Sequence, residues 1–179
     1  VEQCGQCLSQ PPPWHHLYCV GDYTFPTARY IQQMKYADKF WFARDLSKLL
    51  ASRIEHPAPL ITSVPLHWRR YIHRGFNQSQ LLANYTAQEL GVKDEVLFRR
   101  IRSTASQQGL TKSARLHNLK NAFTLRKQDV QGIVPSHVAI IDDVVTTGST
   151  VYPLCQLLLE VGVKRIDIYC ICRTPEPSG

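Results

Sequence analysis

Four apolar residues, Val138-Ala139-Ile140-Ile141, lead directly into Asp142-Asp143 and then into the turn Thr146-Thr147-Gly148-Ser149-Thr150, and few architectures accommodate that succession. A short continuous apolar run of this kind predicts a central parallel strand covered on both faces. Beyond the turn, Val151, Leu154, Cys155, Leu158 and Val161 recur at the spacing of one buried helix face, with Gly162 as the stop. Pro153 restricts where that helix begins, because proline is tolerated only in the first turn, where its missing N–H would have had no partner. The helix is therefore expected to start close to Ser149 or Thr150. Ile166-Asp167-Ile168-Tyr169-Cys170-Ile171 reads as the next strand.

A second strand, loop and helix lie upstream. Leu60-Ile61-Thr62-Ser63-Val64-Pro65 predicts a buried strand closed by its proline. Asn77 is placed to cap a helix through Leu90, with Leu81, Leu82, Tyr85 and Leu90 on or near one face and Gly91 as its stop. From Ala28 to Ile54 apolar residues recur at helical spacing, interrupted by Ala37-Asp38-Lys39, which fits two helices or one broken helix. Ile101 to Lys112 is polar, basic and aperiodic, and is expected to be a mobile loop. Alternating β and α elements with short links predict an α/β fold with a largely parallel sheet flanked by helices. Pro11-Pro12-Pro13 stiffens a linker, and Tyr18 to Tyr23 reads as a short strand entering the main body. This divides the chain into a Cys-rich segment with linker, 1–20, and one main domain, 21–179.

No apolar run approaches the ~20 residues that span a bilayer, so no membrane insertion is expected. No basic stretch followed by an apolar one opens the chain, which makes the cytoplasm the expected location. The formal charge of +7 favours a polyanionic partner, nucleic acid or a phosphorylated small molecule, and many basic residues cluster from Arg69 to Arg74 and from Arg99 to Lys127. Six cysteines fall into two groups. Cys4-Gly5-Gln6-Cys7 can bring two thiolates to one tetrahedral zinc, half of a site, with Cys19 and His15 or His16 the nearest further ligands. Cys155, Cys170 and Cys172 lie in apolar segments and read as core. His67, His73, His117 and His137 lack partners at metal-ligand spacing, and Trp14, Trp41 and Trp68 read as packing, an exposed one being able to stack on a base.

Residues 138–150 assemble what an anion site requires. The first N–H groups of a helix have no partner within it and carry the positive end of its dipole, so a phosphate placed there satisfies them. Gly148 permits close approach of the backbone, and Thr146, Thr147, Ser149 and Thr150 add hydroxyls. Asp142 and Asp143 would repel a phosphate but suit sugar hydroxyls and hydrated Mg2+. Together they imply a phosphorylated ribose. The plainer reading is a buried strand ending in a turn of ordinary capping residues, but capping accounts for one hydroxyl and not for two adjacent acids followed by four more.

The stretch from Val138 through Asp142-Asp143-Val144-Val145 to Thr150 resembles the phosphoribosyl pyrophosphate signature of type I phosphoribosyltransferases. Val64-Pro65-Leu66 through Arg69-Arg70 to Arg74-Gly75-Phe76-Asn77-Gln78-Ser79, with Asn118-Leu119-Lys120-Asn121-Ala122-Phe123, resembles the ComF/GntX competence-protein family, a likeness running from about Cys4 to Arg173. The resemblance implies a type I phosphoribosyltransferase-like, Rossmann-like parallel sheet flanked by helices, preceded by the remnant of a Cys-rich zinc ribbon. Family members carry more C-x-x-C pairs, of which this chain has Cys4 and Cys7, so it is expected to be a fragment lacking its first residues. The resemblance further implies that Asp142 and Asp143 meet the ribose hydroxyls and, through water, Mg2+, while Val144, Val145 and Thr146 to Thr150 hold the 5′-phosphate. Arg69, Arg70 and Arg74 become partners of the leaving pyrophosphate, and Gln107, Gln108, Lys112 and Arg115 belong to a lid.

Two classes of function follow. One is an enzyme of pentosyl transfer, in which Asp142, Asp143, Arg74, Lys112 and Arg115 act on phosphoribosyl pyrophosphate with Mg2+. The other is a binding module that senses phosphoribosyl pyrophosphate or a nucleotide while the basic stretches hold DNA, single-stranded in the first instance, with other competence proteins as partners in DNA uptake. An adaptor of the uptake machinery in which the ligand site is a relic is a third reading.

Overall fold

Strand β6, His137–Val145, is the axis of the fold, because each of its apolar residues has a face to fill. In the computed structural model, which describes residues 11–34, 41–66, 75–101, 122–126 and 134–174, β6 is flanked by β2 (Leu60–Ser63) and β7 (Arg165–Arg173). β1 (His16–Asp22) pairs with the far side of β7, and the two-residue β3 (Lys93–Asp94) with the far side of β2. The order is β1-β7-β6-β2-β3, and all four pairings are parallel. A separate antiparallel pair joins β4 (Phe98–Arg100) to β5 (Phe123–Leu125).

Alternation along the strands divides the core in two. Val138 and Ile140 of β6, with Ile166, Ile168 and Cys170 of β7, face helix α4 (Val151–Glu160) through Val151, Leu154, Cys155 and Leu158, and Phe98 and Phe123 extend that layer. Ala139 and Ile141, with Tyr169 and Ile171, face the other way, toward α1 (Thr27–Met34), α2 (Trp41–Ala51) and α3 (Gln78–Leu90). Cys155, Cys170 and Cys172 are fully buried, as expected of core thiols. Burial pushes the Cys155 thiol up to about 12. Two buried hydroxyls tie distant segments together: the Tyr169 hydroxyl accepts from Ala58 N at 3.1 Å and Thr62 Oγ1 accepts from Leu97 N at 3.2 Å.

The break between Ala28 and Ile54 resolves as two helices, with 35–40 outside the described residues. Helix α3 starts and stops where its cap and glycine predict: Asn77 Oδ1 accepts from Ser79 N at 3.1 Å, and Gly91 adopts φ 67°. Three expectations need adjustment. The first strand begins at His16 rather than Tyr18 and runs across position 20 against β7. Val161 lies beyond the end of α4 and is 40% exposed instead of joining its buried face. Trp41 is 56% exposed, with its ring tilted against Phe42, and is not part of the core.

The topology determines where a ligand can enter. From the middle of the sheet the chain moves one way through β2, α3 and β3, and the other way through β6, α4 and β7. The carboxyl ends of β2 and β6 therefore part at a topological switch point, where open α/β sheets present a crevice.

Candidate functional site

At the end of β6 the chain passes from extended backbone into the turn Thr146–Thr150 and then into α4. The turn is sharp because Gly148 sits at φ 72°, a left-handed conformation that side-chain-bearing residues avoid. Asp142, Val144, Val145, Thr146, Gly148, Ser149, Thr150 and Val151 line a small cleft open to solvent. Thr147 is exposed and its hydroxyl donates to Ser149 Oγ at 3.0 Å, which orients the more buried serine. Val145 is also part of the core, and Thr174 N donates to its carbonyl at 3.0 Å.

The two helix starts at the switch point differ. Asn77 caps α3 with its side chain, whereas Thr150 at the start of α4 makes no side-chain cap. Tyr152 N already donates to Gly148 O at 2.9 Å and Pro153 has no N–H, so the amides with capacity for an outside acceptor are those of Gly148 to Val151, in a cleft lined with hydroxyls.

The paired acids behind that loop are held firmly. Asp142 Oδ1 accepts from Ser79 Oγ at 2.8 Å and from Asp143 N at 2.9 Å, and Asp143 Oδ1 accepts from Val144 N at 2.8 Å. Desolvation, then the neighbouring Asp143 charge, push the Asp142 carboxyl up to about 8, although both hydrogen bonds to Asp142 pull it down. An Asp142 carboxyl raised in this way beside a second acid suits a cation or sugar hydroxyls as the completing partner. The donor chemistry fits Mg2+ held through water by Asp142 and Asp143. Among the described residues no group of three or more His, Cys, Asp or Glu forms a ready metal site.

Ser79 was not singled out from sequence, though it stands in the stretch after Gly75. The first turn of α3 carries it to Asp142, and the other contacts there are equally specific: Asn77 Nδ2 donates to Val64 O at 3.1 Å and Ser63 Oγ donates to Gln80 Oε1 at 2.7 Å. Trp14 packs against the core as read from sequence, but its contact with Gly148 was not foreseen. A Cβ built on Gly148 would lie 2.6 Å from Trp14 Cη2, so the indole rests on the glycine of the turn. No local signal connects residues so far apart in the chain. Cys4, Cys7, Arg69, Arg70, Arg74, Gln107, Gln108, Lys112 and Arg115 lie outside the described residues, as do Trp68, His67, His73 and His117. His137 pairs with the buried Asp167, Nε2 to Oδ2 at 2.7 Å, where His16 and Arg165 also converge.

The family model described as phosphoribosyl transferase domain matches residues 77–178. The DNA utilization protein YhgH of Salmonella typhi is 44% identical over 180 residues, which cover 96% of this chain and 78% of that protein. Competence protein F of Haemophilus influenzae is 34% identical over 182 residues, covering 97% of this chain and 79% of that protein. The solved structure of the allosteric regulatory enzyme of purine biosynthesis is similar at 20% identity and a TM-score of 0.49, over 72% of this chain and 25% of that one.

Proposed function

This chain belongs to the phosphoribosyl transferase domain family, alongside DNA utilization protein YhgH and competence protein F, and from that premise we propose that it binds phosphoribosyl pyrophosphate, or a nucleotide sharing its ribose 5-phosphate, with Mg2+ in the service of DNA uptake and utilisation. The observation that carries the reading is the start of α4, which lacks a side-chain cap and opens on a cleft lined by Thr146, Ser149 and Thr150. A 5′-phosphate there accepts from the amides of Gly148 to Val151 and these hydroxyls. Asp142 and Asp143 are the proposed partners of the attached ribose hydroxyls, and Ser79 holds Asp142 in place. Mg2+, when bound, supplies positive charge beside the ribose and the departing pyrophosphate. Arg69, Arg70 and Arg74 are the proposed partners of the pyrophosphate, and Lys112 and Arg115 belong to the proposed lid; these roles rest on the sequence. Zn2+ at Cys4 and Cys7 in a complete Cys-rich segment, and a cytoplasmic location, are proposed on the same footing.

On the enzymatic reading an acceptor attacks the ribose C1 carbon, the C1–O bond breaks, and pyrophosphate leaves with the bonding pair. Preorganised amides and charged side chains contribute most of the rate, and no covalent nucleophile is required. A second reading, an accessory module that holds single-stranded DNA, is favoured by the net charge of +7 and by the names of both relatives. Pyrophosphate release with a panel of bases and amines supports the transferase. Salt-sensitive binding of single-stranded DNA that survives Asp142→Ala with Asp143→Ala supports the module. Calorimetric titration with phosphoribosyl pyrophosphate tests what both share. Magnesium-dependent binding lost in Gly148→Val is expected, and a flat isotherm with wild-type protein would refute the ligand.

A further inference from the structure

We propose that Trp14 is a positioning residue for the phosphate-binding turn, so that the segment before β1 governs how well the turn receives a ribose 5-phosphate; this rests on the reading of the turn given above. Three distances carry it. A Cβ at Gly148 would meet Trp14 Cη2 at 2.6 Å, Cζ2 at 3.4 Å and Cζ3 at 3.5 Å, so the six-membered edge of the indole lies against the backbone of Gly148. Glycine here serves two needs, the left-handed φ of 72° and the absence of a side chain that would displace the ring.

The ring is a wall and not a ligand contact. Trp14 is half-buried and packs against the core layer that includes Val145 and Val151, yet it is not among the residues lining the cleft. It meets the turn at Gly148, outside that lining. Its own backbone is anchored by the next residue, since His15 N donates to Ile166 O at 2.7 Å and Ile166 N donates to His15 Nδ1 at 3.3 Å. Pro11-Pro12-Pro13 on the other side stiffen the approach. Trp14 is thus a strut between the start of β7 and the turn after β6. Without it the turn loses its backing, and a ligand must bear the ordering of amides that the folded chain now presets.

The test uses ribose 5-phosphate with Mg2+ as probe. In Trp14→Ala, calorimetry at a temperature where the variant is folded is expected to show affinity weaker by about tenfold or more, with Trp14→Phe within about threefold of wild type. A purely structural tryptophan would lower the melting temperature and leave that dissociation constant alone. In a Trp41→Phe, Trp68→Phe background, Trp14 is the sole indole, and its emission is expected to change along the same curve as that background's calorimetric isotherm. Binding to wild type with Trp14→Ala inside twofold overturns this inference and leaves the phosphate reading intact. Failure of wild type to bind overturns the phosphate reading and this inference with it. Should Trp14→Ala not fold, the emission measurement decides, and a silent indole during measured binding is the contrary result.

Discussion

Gly148 and Asp142 are the residues under most local stress, and each makes a separate prediction. Gly148→Ala adds a strained φ, worth about 1–2 kcal/mol, and a collision with Trp14. In urea denaturation, the cost of Gly148→Ala is expected to shrink in a Trp14→Ala background to the strain alone. Strict additivity would deny the contact. Asp142 predicts a pH profile. Its carboxyl moves from an ordinary 3.8 to about 8 through burial and Asp143, so between those values the folded chain keeps a proton that the unfolded chain has released. This group's contribution to stability is therefore full below 3.8 and is lost as pH rises through 8. Melting temperature of the ligand-free protein should fall from pH 5 to 8 less steeply in Asp142→Asn, which should also be the more stable of the two at pH 8 and bind ligand poorly. Parallel profiles would contradict the burial of that carboxyl.

Helices and strands carry their own expectations. Asn77→Ala removes the cap of α3 and the tie to Val64 O, and is expected to cost about 1 kcal/mol or slightly more in denaturant unfolding. Asp167, fully buried at the start of β7, is paired with His137 at 2.7 Å, His16 at 3.3 Å and Arg165 at 3.6 Å. Asp167→Ala removes the buried acceptor that His137, His16 and Arg165 share and is expected to destabilise by about 3 kcal/mol, the scale of a broken buried pair. A change under about 1 kcal/mol would mean water satisfies the group. The elements that sequence revealed are those with local signals: the cap and stop of α3, Pro153 near the start of α4, the apolar runs of β6 and β7. β3 and the β4–β5 pair were not foreseen, because a strand of two or three residues exists only by virtue of a distant partner. His16 began its strand unseen for the same reason, as its register partner is Asp167.

Taken together, the parallel sheet brings an uncapped helix start, two acids and a serine from another helix to one crevice. The contiguous part of that site, Asp142 to Thr150, could be read from the chain because strand, turn and helix follow one another without interruption. Ser79 and Trp14 could not, since only the folded topology brings them beside Asp142 and Gly148. The most direct measurement is amide nitrogen and proton chemical shifts of labelled protein as ribose 5-phosphate is added with Mg2+. The largest changes are expected at Gly148, Ser149, Thr150 and Val151, with smaller ones at Asp142 and Asp143. Saturable binding that leaves those amides unmoved, or no binding at millimolar ligand (a weak-affinity ceiling of about −4 kcal/mol), would contradict the account.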